Sequence, residues 1–233
     1  MEAIVLAGGF GTRIRHVIGD IPKPMAPVNG RPFLEYLLDE LIDGGVTRAI
    51  LSVGFRSEAI IGHFGERYRD LPLDYAVETE PLGTGGGIRL ALWKASELRA
   101  LVINGDSLFR IDFRAMMDLH LKKKADATLA LRKMSDTGRY GRVMMNRNRR
   151  ITGFEEKRAD AGPGYINGGV YIVEKYFLME PDFRGKFSME KDCFERLYPE
   201  AAFFGFPSEG YFVDIGIPED YQKAQDDFRS FKG

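Results

Sequence analysis

The first half of the chain alternates short apolar runs with segments whose apolar residues recur at helical spacing. The apolar runs have the pattern of strands buried within a sheet, and they are Ala3–Leu6, Ala49–Val53, Leu73–Val77 and Leu101–Asn104. Helices are predicted between these runs, from Pro32 as first helical residue to Gly44-Gly45, over Ser57–Tyr68, and from Thr84 as cap to Trp93. Strands separated by helices pair in parallel through right-handed crossovers, so this half predicts a Rossmann-like, doubly wound α/β sheet.

The second half is less regular and predicts a mixed extension of that sheet. Its predicted strands are Asp126–Lys133, Arg142–Met145, Ile151–Phe154 and Tyr165–Val173, and its predicted helices are Ser188–Leu197 and Pro218–Phe231. We therefore expect a single domain over residues 1–233, with a nucleotide-binding half at 1–110 and a half for a second substrate at 111–233.

Composition excludes several classes of protein. With 33 basic and 34 acidic residues the net charge is −1, which leaves no surplus of positive charge for nucleic acid or an anionic membrane. The one cysteine, Cys193, excludes an internal disulfide and a multi-cysteine zinc site. The apolar run Ala3–Ala7 is too short to span a bilayer or to form a signal peptide. We expect a soluble, cytoplasmic protein that binds neither nucleic acid nor membrane.

The clearest chemical signal is the glycine-rich segment directly after the first strand, Leu6-Ala7-Gly8-Gly9-Phe10-Gly11-Thr12-Arg13. Ligands of doubly wound sheets bind beyond the carboxyl ends of the strands, and glycines there let backbone N–H groups approach a phosphate or a base. The segment has neither the Lys-Ser/Thr ending of a P-loop nor the third glycine of a dinucleotide fingerprint. Arg13 is suited to a polyphosphate. In Pro22-Lys23-Pro24, the flanking prolines exclude a helix and predict a stiff extended loop, so we expect Lys23 to contact a phosphate.

A second glycine-rich segment, from Glu78 to Gly87, ends the third strand and opens a helix. Its consecutive glycines are unfavourable in a helix, and we expect them to pack closely against a flat ligand such as a base. An ionised glutamate only accepts hydrogen bonds and matches the two donors on the pairing edge of guanine. Glu78 is therefore predicted to read guanine, with Glu80 as a second candidate.

Two aspartates are placed for a magnesium ion. Asp106 follows Gly105 at the end of the fourth strand, and Asp214 opens Asp214-Ile215-Gly216-Ile217-Pro218. Two carboxylates and the phosphate oxygens of a nucleotide form the hard-oxygen ligand set that Mg²⁺ prefers; each aspartate alone is equally explained as a cap or turn residue. Further along, Lys157 can bind an anionic second substrate, and Asn167 is suited to sugar hydroxyls.

Taken together, these segments resemble the sugar-1-phosphate nucleotidyltransferase family over essentially the whole chain. The family's motifs match Gly8–Arg13, Pro22–Pro24, Gly105-Asp106, Glu156-Lys157 and Asp214–Pro218. The segment Glu78–Gly86 resembles the guanylyl-transferring branch, because uridylyl and thymidylyl members often carry Gln where this chain has Glu78. The short length and Phe33-Leu34-Glu35-Tyr36 resemble members that act on D-glycero-α-D-manno-heptose 1-phosphate, with mannose 1-phosphate as the alternative.

The resemblance implies the nucleotide-diphospho-sugar transferase (GT-A-like) fold, Mg²⁺ as cofactor, and GTP and a sugar 1-phosphate as substrates of a monomer or homodimer. The implied reaction transfers GMP to the sugar 1-phosphate and releases pyrophosphate. The implied site residues are Arg13, Lys23 and Asp106 for catalysis, Asp106 and Asp214 for the metal, Leu6, Ala7, Gly8, Gly9, Gly11, Thr12, Glu78, Glu80, Gly83, Thr84 and Gly85 for the nucleotide, and Gly141, Glu156, Lys157 and Asn167 for the sugar phosphate.

Two other classes of function compete with this interpretation. A nicotinamide-dependent oxidoreductase would need an acidic residue at the end of the second strand, which here reads Ser52-Val53-Gly54-Phe55. A catalytically silent nucleotide sensor of the same fold would be expected to lack part of the phosphate and metal set, and no member of that set is missing.

Overall fold

The computed structural model describes residues 1–9, 11–158, 162–180 and 183–229. Its strands are β1 (Glu2–Leu6), β2 (Pro27–Val28), β3 (Arg31–Pro32), β4 (Arg48–Val53), β5 (Arg67–Tyr68), β6 (Leu71–Val77), β7 (Arg99–Asn104), β8 (Ser107–Phe109), β9 (Ala127–Met134), β10 (Arg142–Met145), β11 (Ile151–Glu155), β12 (Gly164–Glu174), β13 (Phe203–Ser208) and β14 (Phe212–Asp214). Its helices are α1 (Arg15–Ile18), α2 (Phe33–Asp43), α3 (Ser57–Phe64), α4 (Gly83–Leu92), α5 (Phe113–Lys123), α6 (Lys175–Met179) and α7 (Pro218–Phe228), with a 3₁₀ turn at Lys23–Met25 and a π-helical segment at Met189–Glu195.

Ten of the described strands form one mixed sheet in the order β11-β10-β12-β7-β1-β4-β6-β5, and β9 joins it beside β12 with β13 on its other side. Strand β1 pairs in parallel with β4 and β7, and β4 pairs in parallel with β6. Strand β12 then pairs antiparallel with β7 and with β9. The predicted fold class, a doubly wound α/β sheet with a mixed extension, is confirmed.

The sheet separates two layers of apolar core. Successive residues of β1 point to opposite faces, so Val5 packs in the cluster that includes Leu37 of α2, while Ile4 packs in the cluster that includes Ile88 of α4. Each fully buried side chain of this size contributes about 1.5–3 kcal/mol. Because both layers also contain residues from β12, the second half of the chain shares the core of the first half.

Several predicted elements differ in detail from the structure. The helix predicted over Ser57–Tyr68 ends at Phe64, because Gly65 takes a φ of 58° and the chain enters β5. The prediction that the prolines exclude a helix at Lys23 is wrong, since a 3₁₀ turn begins there. Pro24 sits in the first turn, where its missing N–H removes no helical hydrogen bond.

Capping positions differ as well. Pro32 precedes α2 as its N-cap instead of forming its first residue. Leu82, not Thr84, is the N-cap of α4. Ser188, predicted as the first residue of a helix, is the N-cap of the π-helical segment, and its side chain accepts from Lys191 N. Helix α7 ends at Phe228, and Phe231, the last residue of the predicted helix, lies outside the described residues. None of the described helices is long and apolar enough to cross a membrane.

Candidate active site

The carboxyl ends of four parallel strands meet around one cavity. Leu6 at the end of β1 pairs with Ser52 of β4 on one side and with Asn104 of β7 on the other. The cavity opens directly beyond these ends and has a volume of about 470 Å³. Its lining consists of Leu6, Gly8, Gly9, Lys23, Pro24, Gly54, Phe55, Glu78, Thr79, Glu80, Pro81, Gly83, Thr84, Asn104 and Asp106. Nine of the residues predicted for the site belong to this lining; the other ten lie outside it.

The first glycine-rich segment is fixed at both of its ends. At the strand end, Gly105 N donates to Leu6 O at 2.9 Å and Ala7 N donates to Ser52 O at 2.7 Å. At the other end Gly11 has a φ of 60°, and a Cβ there would lie 3.0 Å from Lys23 Cβ. A side chain at position 11 would therefore be strained and would crowd Lys23. Thr12 and Arg13, which follow, are exposed.

Lys23 and the two predicted metal-binding aspartates converge at the edge of the cavity. Lys23 is buried, and its Nζ donates to Asp106 Oδ2 at 2.6 Å and lies 3.9 Å from Asp214 Oδ1. The two aspartates meet because β14 pairs antiparallel with β8, with Asp214 opposite Ser107. A two-stranded pairing thus closes a sequence gap of more than a hundred residues.

The electrostatics of this cluster are those of two facing carboxylates near cations. Burial raises the pKa of the Asp214 carboxyl, and the neighbouring Asp106 raises it further, while Lys23, the backbone N–H of Gly216 and Arg13 oppose the rise. Arg13 is therefore near enough for its charge to act on Asp214. A further cation near Asp106 and Asp214 would relieve their mutual repulsion.

The donor set fits a magnesium ion. Both aspartates supply hard oxygen atoms, and a glycine, Gly216, leaves room beside Asp214 where a Cβ would lie 2.7 Å from Oδ1 and 2.9 Å from Lys23 Nζ. Within the described residues, no group of three or more His, Cys, Asp or Glu side chains converges as a metal cage. Mg²⁺ is commonly held by one or two carboxylates together with substrate phosphates and water, which is what this pair offers.

Glu78 is held by the protein on both of its oxygens. Oε1 accepts from Ser52 Oγ at 3.2 Å, and Oε2 accepts from the backbone N–H of Leu82 at 3.0 Å. Each carboxylate oxygen accepts more than one hydrogen bond, so Glu78 keeps acceptor capacity toward the cavity that it lines. Glu80 also lines the cavity and is exposed.

The glycines of α4 pack against the protein itself. A Cβ on Gly85 would collide with the ring of Phe187, and one on Gly86 would lie 2.8 Å from Gly185 O. A Cβ on Gly87 would lie 2.9 Å from Glu78 Oε1. The prediction that these glycines make room for a flat ligand is therefore corrected: they make room for the segment around Phe187 and for the inward-facing glutamate, and Gly85 does not line the cavity.

The residues predicted for the sugar phosphate lie beyond the cavity lining. Glu156 and Lys157 are exposed and follow the end of β11. Gly141 lies beside them, since a Cβ on Gly141 would be 3.7 Å from Lys157 N. Asn167 lies in β12, where its Nδ2 donates to Tyr171 OH at 2.9 Å.

Sequence reasoning missed four residues that the fold brings to this region. Ser52 holds Glu78, and Asn104 lines the cavity next to the predicted Asp106. Tyr140 lies near Asp214 and Arg13; burial, with Asp214 adding to it, raises the Tyr140 pKa to about 12. Glu190 binds Thr84. Only Asn104 carried a usable signal, since it ends a predicted strand beside a predicted site residue.

A sheet of this topology, with a glycine-rich loop, a lysine and two carboxylates near its strand ends, is the arrangement expected of an enzyme that transfers nucleotidyl groups. The chain is a member of the Nucleotidyl transferase family, whose profile matches residues 2–230. The resemblance drawn from the motifs is thereby confirmed.

Several individual members of the family are similar to this chain over nearly its whole length. D-glycero-α-D-manno-heptose 1-phosphate guanylyltransferase of Aneurinibacillus thermoaerophilus is 45% identical over 99% of this chain and 100% of its own. The enzyme of the same name from Campylobacter jejuni is 39% identical over 95% of this chain and 97% of its own. A crystal structure of HddC from Yersinia pseudotuberculosis complexed with GMP-PN superposes with a TM-score of 0.85 at 37% identity, over 97% of this chain and 99% of that one.

Proposed function

We propose that this chain transfers GMP from GTP to D-glycero-α-D-manno-heptose 1-phosphate, with release of pyrophosphate. The observation that carries the proposal is the convergence of Lys23, Asp106 and Asp214 at the edge of a cavity that also exposes Glu78. Similarity to D-glycero-α-D-manno-heptose 1-phosphate guanylyltransferases over nearly the whole chain supports the choice of nucleotide and sugar. The proposal treats residues 1–233 as one domain with the two halves described above.

In the proposed reaction a phosphate oxygen of the sugar 1-phosphate attacks the α-phosphorus of GTP. The new P–O bond forms as the bond to the β-phosphate breaks, and pyrophosphate leaves on the opposite side. Such a reaction needs positioning and charge neutralisation more than covalent catalysis. Lys23 offers a buried cation to the transferring phosphate, and Arg13 offers an exposed one to the leaving pyrophosphate.

Asp106 and Asp214 are the residues that would hold Mg²⁺. When bound, the ion supplies Lewis-acid polarisation of phosphate oxygens. The protein's own contribution is to hold the two carboxylates together through the β8–β14 pairing and to keep Lys23 between them. Nucleotide entry would free Lys23 from Asp106 to meet the phosphates.

In the proposed reaction, different segments of the chain recognise the two substrates. Glu78 and Glu80 accept from the pairing edge of guanine, beside Gly83 and Thr84. Lys157 binds the phosphate of the incoming sugar, with Gly141 and Glu156 adjacent to it, and Asn167 bonds sugar hydroxyls.

The test is Mg²⁺-dependent pyrophosphate release, with GTP, UTP, dTTP, CTP and ATP each paired with heptose, mannose and glucose 1-phosphates. We expect release with GTP and heptose 1-phosphate at a kcat/KM at least about tenfold above every other pair, the scale of one lost hydrogen bond to a charged group.

Each other outcome selects a different conclusion. Preference for mannose 1-phosphate would show that the protein transfers GMP to mannose 1-phosphate and not to heptose 1-phosphate. Preference for UTP or dTTP would overturn the role of Glu78. Absence of turnover in the whole panel would favour the silent nucleotide sensor.

A further inference from the structure

A carboxylate outside the predicted site connects its two sides. Glu190 lies in the π-helical segment Met189–Glu195, a rare geometry often found at functional sites. Its Oε2 accepts from Thr84 Oγ1 at 2.7 Å and from Ser188 Oγ at 3.0 Å. Its Oε1 accepts from Tyr171 OH at 3.3 Å. Three hydroxyl groups therefore donate to one carboxylate.

On the nucleotide side, Glu190 holds a residue of the cavity wall. Thr84 lines the cavity, and its hydroxyl also accepts from Met189 N at 2.8 Å. Two helix N–H groups, those of Gly85 and Gly86, donate to Phe187 O at 3.0 and 3.4 Å. The first turn of α4 and the segment that carries Glu190 are thus joined by several hydrogen bonds.

On the other side, Glu190 reaches two amides through Tyr171. Tyr171 is fully buried in β12, and its hydroxyl accepts from Asn167 Nδ2 at 2.9 Å, while the Asn104 side chain lies near enough to act on it. Asn167 Oδ1 accepts from Gly169 N at 3.0 Å. Asn104 Oδ1 is buried and has no hydrogen-bond partner among the described residues, which is unusual for a buried acceptor.

The direction of these hydrogen bonds follows from the charge of Glu190. An ionised carboxylate only accepts, so the Tyr171 hydroxyl must donate toward it. The lone pairs of that hydroxyl are then left for the two amide NH₂ groups, which sets the orientation of Asn104 and Asn167. Without a pure acceptor at position 190, the Tyr171 proton can turn toward the amides and compete with their donors.

We infer that Glu190 is a positioning residue of this enzyme, which ties Thr84 on the nucleotide side to the Tyr171 hydroxyl and, through it, orients the Asn104 and Asn167 amides. Glu190 acts through these residues and not on a substrate. The inference rests on the proposed function only in taking Asn167 to meet the sugar.

The first test observes the amides directly and needs no substrate. Side-chain ¹⁵N–¹H amide signals of Asn104 and Asn167, assigned through the Asn104→Ala and Asn167→Ala variants, are recorded in Glu190→Gln, Tyr171→Phe and Thr84→Val. We expect both signals to shift in all three variants. The matched control is Tyr176→Phe, which removes an exposed tyrosine hydroxyl bound to Asp126 and leaves both signals in place. Unchanged signals in a folded Glu190→Gln protein would overturn the inference.

The second test measures the consequence for turnover. In Glu190→Gln and Tyr171→Phe we expect the KM for the sugar 1-phosphate to rise roughly three- to tenfold, the scale of one hydrogen bond between uncharged groups such as Asn167 and a sugar hydroxyl, while the KM for GTP changes less than about threefold. The double variant should be no worse than the worse single variant, because both changes interrupt one chain of bonds. Equal effects on both KM values in Tyr171→Phe, or additive losses in the double variant, would contradict a positioning role. A wild-type protein inactive with every substrate pair would refute the proposed function and leave the amide test to decide this inference.

Discussion

Glu78 is fixed by the protein on both oxygens, so its role in base recognition can be separated from its role in the fold. In Glu78→Gln, the amide oxygen can still accept from Leu82 N, and the Ser52 hydroxyl can rotate to accept from the new NH₂ group. What is lost is the charged acceptor that guanine would meet under the proposed function. We expect kcat/KM for GTP to fall about 10- to 100-fold relative to UTP, as measured by pyrophosphate release.

The control for this substitution is Ser52→Ala. It removes one hydrogen bond to Glu78 and keeps the carboxylate. The ratio of kcat/KM for GTP to that for UTP should stay within about threefold of the wild-type ratio. If Glu78→Gln leaves the ratio unchanged, another residue reads the base, and exposed Glu80 is the next candidate.

At the scale of elements, the glycines of α4 are needed for the contact between that helix and the segment around Phe187. A methyl group on Gly85 would meet the Phe187 ring in a fully packed region. Although Gly→Ala is normally favourable within a helix, we expect Gly85→Ala to lower the free energy of unfolding by about 1–3 kcal/mol through overpacking. Urea denaturation measures this change.

Gly62 in α3 provides a matched control. It also lies within a helix, but a Cβ there would meet nothing within 4 Å. Gly62→Ala should raise the free energy of unfolding by roughly 0.5–1 kcal/mol. Adding Phe187→Leu to Gly85→Ala should recover part of the loss; strictly additive losses would show that the ring is not the cause.

At the scale of the whole molecule, α5 is attached to the sheet through a buried histidine. His120 is 1% exposed, and its ring nitrogens lie 2.9 Å from Thr128 Oγ1 of β9 and 3.2 Å from Glu174 Oε1 of β12. Burial lowers the pKa of His120 below its usual value of 6.5, Glu174 and Asp126 oppose that shift, and Arg99 adds to it. The native state therefore favours the neutral imidazole.

Because the pKa of His120 is lower in the native state than in the unfolded chain, a fall in pH destabilises the protein. Below pH 6.5 the unfolded chain binds a proton at this histidine more readily than the native protein does. The contribution of His120 to the free energy of unfolding is fully present above pH 6.5 and is lost as the pH falls toward the native pKa of this histidine. We expect the free energy of unfolding in urea to fall between pH 7 and pH 5, and we expect a shallower fall in His120→Gln. Equal slopes in the two proteins would contradict this linkage.

Elements that depend on local sequence pattern could be predicted, and elements that depend on pairing between distant segments of the chain could not. The parallel strands of the first half are continuous apolar runs separated by helices, so their existence and parallel pairing follow from the local pattern. Strands β8 and β14 were not predicted, because they are only three residues long and become strands through pairing with each other. Thr84 does not cap α4, because the helix begins one residue before it; its hydroxyl instead donates to a distant carboxylate, Glu190.

The sequence by itself determined the class of fold and the residues that end its strands. A glycine-rich loop after β1 and a Gly-Asp pair after β7 are local features, and parallel strands necessarily bring their carboxyl ends to one edge. Asp214 was predicted from its motif as the partner of Asp106, but only the tertiary structure decided how distant residues reach this edge. Asp214 reaches Asp106 through the β8–β14 pair, and Glu190 reaches Thr84 and Tyr171 through packing around Phe187. Such contacts depend on the three-dimensional closure of the chain, for which neither periodicity nor composition carries a signal.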